Sequence, residues 1–271
     1  MGRTAHFDDT RGLLIVNPRS GSGSREVDEL VESARRRGVR VHLLRSSDDV
    51  RSVAEGSSGP LGAAGGDGSL SPVAEVAIER DLPFVCIPLG TRNHFARDVG
   101  LDRSDPLAAL DAFESGSERR IDVGRAGERV FLNNVSIGLY AALVHRREAH
   151  RRRRETFAWV RALWLSARDR SPEPISLDGE RLEARLVLIA NNAYEVDLFD
   201  LGAREQLDDG RLHAYIAREW LPRTWEERVG ERFVVERVGG VRAALDGEPV
   251  ELDSTVELTI QPRALRVLLP S

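Results

Sequence analysis

Three times in the first hundred residues, an apolar run ends in a polar loop rich in small residues, and the loop opens into a helical pattern. LLIVN (13–17) leads into PRSGSG and then SREVDELVESARRRG, where Val27, Leu30, Val31 and Ala34 recur at helical spacing before Gly38 ends the run. GGDGSLS (65–71) and LGTRNH (89–94, after FVCIP) repeat the arrangement, with VRVHLL between the first loop and the second. A helix pattern over 105–114 follows. Such alternation predicts an α/β fold, a doubly wound parallel sheet whose ligands sit at the carboxyl ends of the strands. The strand before GGDG is the weakest by composition, since GPLGAA holds one large apolar residue, and only the alternation places it there.

After about Ile121 the texture changes. RVFLNNVSIG, RLVLIANN, RLHAYIA, RFVVERV, VRAALDG, TVELTI and ALRVLL are separated by turn signals, with one long helical stretch over roughly 138–168. The expectation is an α/β domain over 1–123 and a mainly antiparallel β domain over 124–271, whose last strand could pack back on the first domain.

Composition removes several classes of function. All 39 basic residues are arginine, so lysine-dependent phosphate loops, the protein-kinase lysine and a pyridoxal Schiff base are excluded. Phosphate has to be met by backbone amides, arginine, histidine or a metal. A net charge of −5 argues against a nucleic-acid partner. No apolar run has the length of a signal peptide core or a membrane span, and Cys86 stands alone, so a cytoplasmic location is expected.

The three loops of a parallel sheet converge on one edge, so one anion could touch all of them. In GGDGSLSP, Ser71 suits a helix N-cap and Pro72 the first helical position, which would leave Asp67 and Ser69 in the turn. Asp67 is either a turn-former or a carboxylate route to Mg²⁺.

NPRSGSG, GGDGSL, PLGTRNHFARDVGL, FLNNVSIGLY and LDGEPV, in that order and spacing, resemble the diacylglycerol kinase catalytic family. That family includes bacterial lipid kinases and the sphingosine and ceramide kinases, and is distantly akin to NAD kinases and phosphofructokinases. The resemblance covers nearly the whole chain. It implies an ATP- and Mg²⁺-dependent lipid kinase, with ATP in a cleft between an α/β domain and a β-sandwich.

Carried over by position, Asn17, Pro18, Arg19, Ser20, Gly21, Gly66, Asp67, Gly68, Ser69, Leu70, Ser71, Thr91 and Asn93 look like the nucleotide-binding loops. Asp67 matches the family's GGDG aspartate, and Asp122 an acidic residue that holds Mg²⁺ through water. Glu248 of LDGEPV matches the proposed general base, which takes the acceptor's proton. LDGE occurs earlier too, in SLDGER (176–181); Asp-Gly between apolar runs is a hairpin signal in both copies, and only the family pattern selects Glu248 over Glu180. In bacterial members Asp209's counterpart binds a structural Mg²⁺ with carbonyls matching Gln206 and Arg211; the alternative is a polar loop ending in an Asp-Gly turn.

Two positions depart from the family. Pro72 stands where a glutamate is usual, and His94 where an aspartate is usual, so His94 is either a catalytic contact to phosphate or substrate, or a polar helix starter. Residues 145–168 gather arginines, with Arg151 to Arg154 consecutive, and then Trp159 and Trp164. They read as an amphipathic helix or as a peripheral contact with anionic lipid at the inner membrane face. Exposed strands could also pair across a homodimer. The rival functions are a kinase of a soluble acceptor such as NAD, and a non-catalytic nucleotide- or lipid-binding member of the fold.

Overall fold

The computed structural model describes residues 11–20, 23–90, 93–138, 174–195, 202–218 and 225–271. The 138–168 helical pattern beyond Gly138, the Arg151 to Arg154 run, Gly21 and Thr91 lie outside the described residues. The chain divides into two compact units, one made of 1–122 and 263–271 and the other of 123–262.

The first unit alternates as the sequence predicts: β1 (Leu13–Val16), α1 (Ser24–Arg36), β2 (Arg40–Leu43), α2 (Val50–Glu55), β3 (Leu61–Gly65), α3 (Asp67–Glu79), β4 (Phe84–Pro88) and α4 (His94–Asp98). The helix predicted over 105–114 is a 3₁₀ turn, Ala108–Asp111, running into the short α5 (Ala112–Ser115). All strand pairs are parallel, in the order β2-β1-β3-β4, and the chain's last strand joins β4 in parallel through Val267 and Leu268. From β1 the chain moves outward to β2, then crosses back to β3 on the other side. The sheet therefore has its topological switch between β1 and β3, where the loops leaving the two strands turn to opposite faces and open a crevice.

The weak strand GPLGAA is the centre of this sheet. Every residue of β3 is buried. A Cβ at Gly62 would stand 2.5 Å from Cζ of Phe113 and 3.0 Å from Cδ1 of Leu14, so the absent side chain is what lets those two pack across the strand. Around it, Leu14, Val16, Leu30, Val85, Ile87, Leu110 and Phe113 form one core, and burial of this kind outweighs a poor strand propensity.

The helix after GGDG differs from the expectation. It begins at Asp67, with Gly66 as N-cap, and Ser71 and Pro72 lie inside it rather than at its start. The first turn closes early because the Ser69 amide donates to the Gly66 carbonyl at 2.8 Å. Pro72 then omits one rung of the ladder, the one to Gly68, and that residue has no side chain to crowd the ring.

The strand β5 (Ser117–Ala126) runs from the first unit into the second. Among the described residues eleven more strands follow: β6 (Arg129–Phe131), β7 (Asn134–Gly138), β8 (Ile175–Leu177), β9 (Glu180–Leu182), β10 (Leu186–Asn191), β11 (Leu212–Ala217), β12 (Glu226–Gly230), β13 (Arg232–Glu236), β14 (Val241–Leu245), β15 (Glu248–Leu252) and β16 (Thr255–Leu269). In the second unit the pairing is antiparallel. One sheet has the order β12-β11-β10-β7-β14-β15, and β9, β8, β13 and the first part of β16 pair in sequence in another. Alternate residues Val135 and Ile137, Val187 and Ile189, Ala214 and Ile216 turn from the six-stranded sheet into a core shared with Leu177, Phe233, Val235 and Leu258. This period of two gives the two packed antiparallel sheets of a β-sandwich.

Candidate functional site

The three loops of the first unit are tied to one another by named side chains. Asn17, just past β1, donates from Nδ2 to the Ser69 hydroxyl at 2.9 Å, while its Oδ1 accepts the Arg19 amide at 3.1 Å. The first loop is thereby fixed to the first turn of α3. Asp67 ties the second loop to the third: its Oδ2 accepts the His94 amide at 3.1 Å and its Oδ1 the Phe95 amide at 2.9 Å. Phe95, fully buried and edge-on to Phe84 with centroids 6.3 Å apart, anchors that helix beneath the strand before it.

Space between the loops is set by glycine. A Cβ on Gly65 would meet Ser69 Cβ at 2.6 Å, and one on Gly90 would lie 3.4 Å from the Gly66 Cα, the Ser20 carbonyl oxygen and Asn93 Oδ1. Gly66 is different, since among the described residues a Cβ there meets nothing within 4 Å and its φ of −79° suits any residue. Neither packing nor conformation demands glycine at that point. Its bare backbone faces open space at the switch point, as required where an anion approaches backbone amides.

Asn93, left-handed at φ 43° and 2% exposed, donates from Nδ2 to the Gly90 carbonyl at 2.9 Å, and its Oδ1 has no hydrogen-bond partner among the described residues. Cys86 lies beneath. Burial, and secondarily the charge of Asp67, pushes its thiol far above the ordinary range, so it is inert.

Asp122, 1% exposed, accepts the Arg263 amide on Oδ1 at 2.7 Å, holding that residue at φ 51°. Among the described residues, no group of three or more His, Cys, Asp or Glu is arranged as a metal cage. Asp67 and Asp122 nevertheless fit Mg²⁺ held through water. An ionised carboxylate offers about four lone-pair directions, and the two named amides leave room on Asp67 for the water of a bound cation.

In the second unit both LDGE copies are hairpin turns, with Asp178 and Gly179 at φ 52° and 81° and Asp246 and Gly247 at 48° and 84°. Glu180 pairs with Arg228 at 3.0 Å. Glu248 opens β15 opposite Leu245 and is exposed. Asp209 is 3.9 Å from Nε2 of His213, whose other ring nitrogen lies 2.8 Å from Glu227. The Arg211 carbonyl accepts the Asn192 amide at 3.0 Å, and Gln206 is exposed.

Sequence reasoning passed over a buried polar group in this unit. Arg204, 2% exposed, donates to the carbonyls of Leu132 and Asn191 and to Asn133 Oδ1, at 2.7, 2.9 and 2.7 Å. Asp246 accepts three consecutive amides, those of Leu132, Asn133 and Asn134, at 2.8, 2.8 and 3.1 Å. The signal was present in the sequence as two Asn-Asn pairs closing apolar runs, FLNN and LIANN.

A parallel sheet with its switch-point loops pinned to one another, together with an antiparallel sandwich, defines a class of two-unit α/β proteins. Residues 11–126 match the model of the diacylglycerol kinase catalytic domain. The chain is 34% identical to a probable lipid kinase YegS-like of Pseudomonas fluorescens, over 49% of this chain and 46% of that protein. It is 34% identical to a diacylglycerol kinase of Mycobacterium tuberculosis, over 46% and 43%. The match to a probable lipid kinase YegS-like of Klebsiella pneumoniae, at 26%, covers 95% of both. The aligned stretch thus spans about half the length of two of these relatives and nearly all of the third. A crystal structure of a diacylglycerol kinase from Bacillus anthracis superposes with a TM-score of 0.69 at 19% identity, over 95% of this chain and 96% of that one, and so shares its fold.

Proposed function

We propose that the protein is a lipid kinase that transfers the γ-phosphate of ATP to a hydroxyl of diacylglycerol or a related lipid alcohol. The observation that carries this reading is the triangle of loops around Gly66, held by Asn17–Ser69 and Asp67–His94/Phe95. Backbone amides at the start of α3 present partial positive charge to phosphate with no lysine needed. Asp67 and Asp122 would hold Mg²⁺ through water, and the ion would supply neutralisation of phosphate charge. Glu248 takes the proton from the acceptor hydroxyl as that oxygen bonds the γ-phosphorus and the bond to the bridging oxygen breaks, releasing ADP. Asp67 thus has a second task, since it also fixes the third loop.

Among the described residues no helix is long and apolar enough to cross a membrane. In this reading the lipid acceptor is met peripherally at a bilayer surface, from a cytoplasmic location.

The test is incubation with labelled ATP, Mg²⁺ and a panel of diacylglycerol, sphingosine, a prenyl alcohol and NAD. Label in a lipid product that vanishes in Glu248→Gln supports the reading. Label in NAD reassigns the acceptor, and nucleotide binding without any transfer refutes the kinase.

A further inference from the structure

Two buried charges of opposite sign grip one peptide group from its two ends. The carbonyl of the Leu132–Asn133 peptide accepts Arg204 Nη1 at 2.7 Å and Asn191 Nδ2 at 3.0 Å. The N–H of the same peptide donates to Asp246 Oδ1 at 2.8 Å. Arg204 lies 5.4 Å over the Tyr194 ring and is 2% exposed, and Asp246 is 8% exposed. Guanidinium at the oxygen and carboxylate at the nitrogen polarise the peptide in the same sense, so each hydrogen bond strengthens the other. Buried charge is costly and a well-packed apolar group often replaces it without loss, so stability alone is a poor reason for this arrangement.

Its geometric effect falls on one place. Asp246 is the first left-handed residue of the turn whose fourth and last residue is Glu248, and Leu245 pairs with Glu248 to close that turn. A carboxylate locked to three successive amides fixes the turn to the segment entering β7.

We propose that Asp246, with Arg204 across the peptide, is the positioning residue for Glu248: the polarised 132–133 peptide sets the direction in which the base's carboxylate is presented. The proposal rests on Glu248 being the base.

The experiment is a double-mutant cycle in kcat. Asp246→Asn, Glu248→Gln and the double variant are assayed with ATP and dispersed diacylglycerol, rates being normalised to the folded fraction by circular dichroism. Asp246→Asn keeps the side-chain shape but turns an NH₂ toward backbone donors. It lowers kcat on the order of 10²-fold, as a displacement of about 1 Å does, with the KM for ATP changed less than about twofold. Because it acts through Glu248, the double variant is no slower than Glu248→Gln alone.

Additive losses, or a wild-type kcat in folded Asp246→Asn, overturn the proposal while leaving Glu248 as the base. Full activity of Glu248→Gln overturns the base assignment and the proposal with it. Should Asp246→Asn not fold, Arg204→Lys takes its place in the cycle. It is expected to lose on the order of 10-fold in kcat, because a lysine cannot reproduce the forked contact, and additivity with Glu248→Gln overturns the proposal equally.

Discussion

The same four residues, LDGE, occur twice in the second unit and end in different circumstances. Both copies make the same turn, with paired positive φ values within 4° of each other at equivalent positions. Both aspartates reach across to backbone amides. Asp178 is exposed and takes one, that of Val234 at 2.7 Å; Asp246 is buried and takes three. The first joins strands of three residues, β8 and β9, and the second joins β14 and β15, of which β14 pairs with β7 inside the six-stranded sheet. Local sequence therefore sets the turn, and what passes over the turn sets the work its carboxylate performs.

The largest expected contrast is catalytic. Glu248→Gln should lower kcat by about 10²–10⁴, the usual contribution of a general base, whereas Glu180→Gln should leave it within about twofold. An equal loss in both would erase the distinction between the turns.

Next is stability. Asp246→Ala strands three amides in a buried place and should cost about 3–5 kcal/mol, and Asp178→Ala should cost about 1 kcal/mol, read from urea midpoints at unchanged m-value. Gly247→Ala and Gly179→Ala should be matched, at about 1–2 kcal/mol each, since both residues are left-handed and an added Cβ meets nothing within 4 Å at either. Unequal costs there would show that the turns differ in backbone and not only in what they grip.

The smallest effect is electrostatic. Arg218 first and then Arg228, which also pairs Glu180, hold the Glu226 carboxyl below the usual range. A depressed carboxyl stabilises the fold above about pH 4 and loses that contribution as pH falls through its folded value. Arg228→Gln should therefore cost about 0.5 kcal/mol or less at pH 7, and stability should fall less steeply with acid than in the wild type.

Much of this was legible in advance. Strand–helix alternation and the short apolar runs punctuated by turn signals predicted both architectures, because run length and spacing report the kind of element and the face it buries. The three loops were legible too, but the links between them were not: Asp67 to Phe95 spans 28 residues, and only the folded sheet brings them together. The start of α3 was misread because Ser71-Pro72 looks like a helix start wherever it occurs, while the amides freed at Gly66 close the turn earlier. Arg204 was missed for a related reason. An arginine in a polar stretch is normally solvated, and its burial follows from carbonyls at 132 and 191 that are far apart in sequence.

The last strand has a consequence for biosynthesis. Arg263–Ser271 belongs to the unit that begins the chain; Leu268 packs into its core, and Arg266 pairs with Glu118 at 2.8 Å. On the ribosome, β4 emerges with its outer edge bare and stays so until the whole of 123–262 has been made. The second unit can close on its own contacts during that interval, whereas the sheet that carries the phosphate loops waits for its final neighbour. A chaperone guarding a nascent chain of this kind would have the exposed rim of β4 to cover, and it would be released by the arrival of Val267 and Leu268.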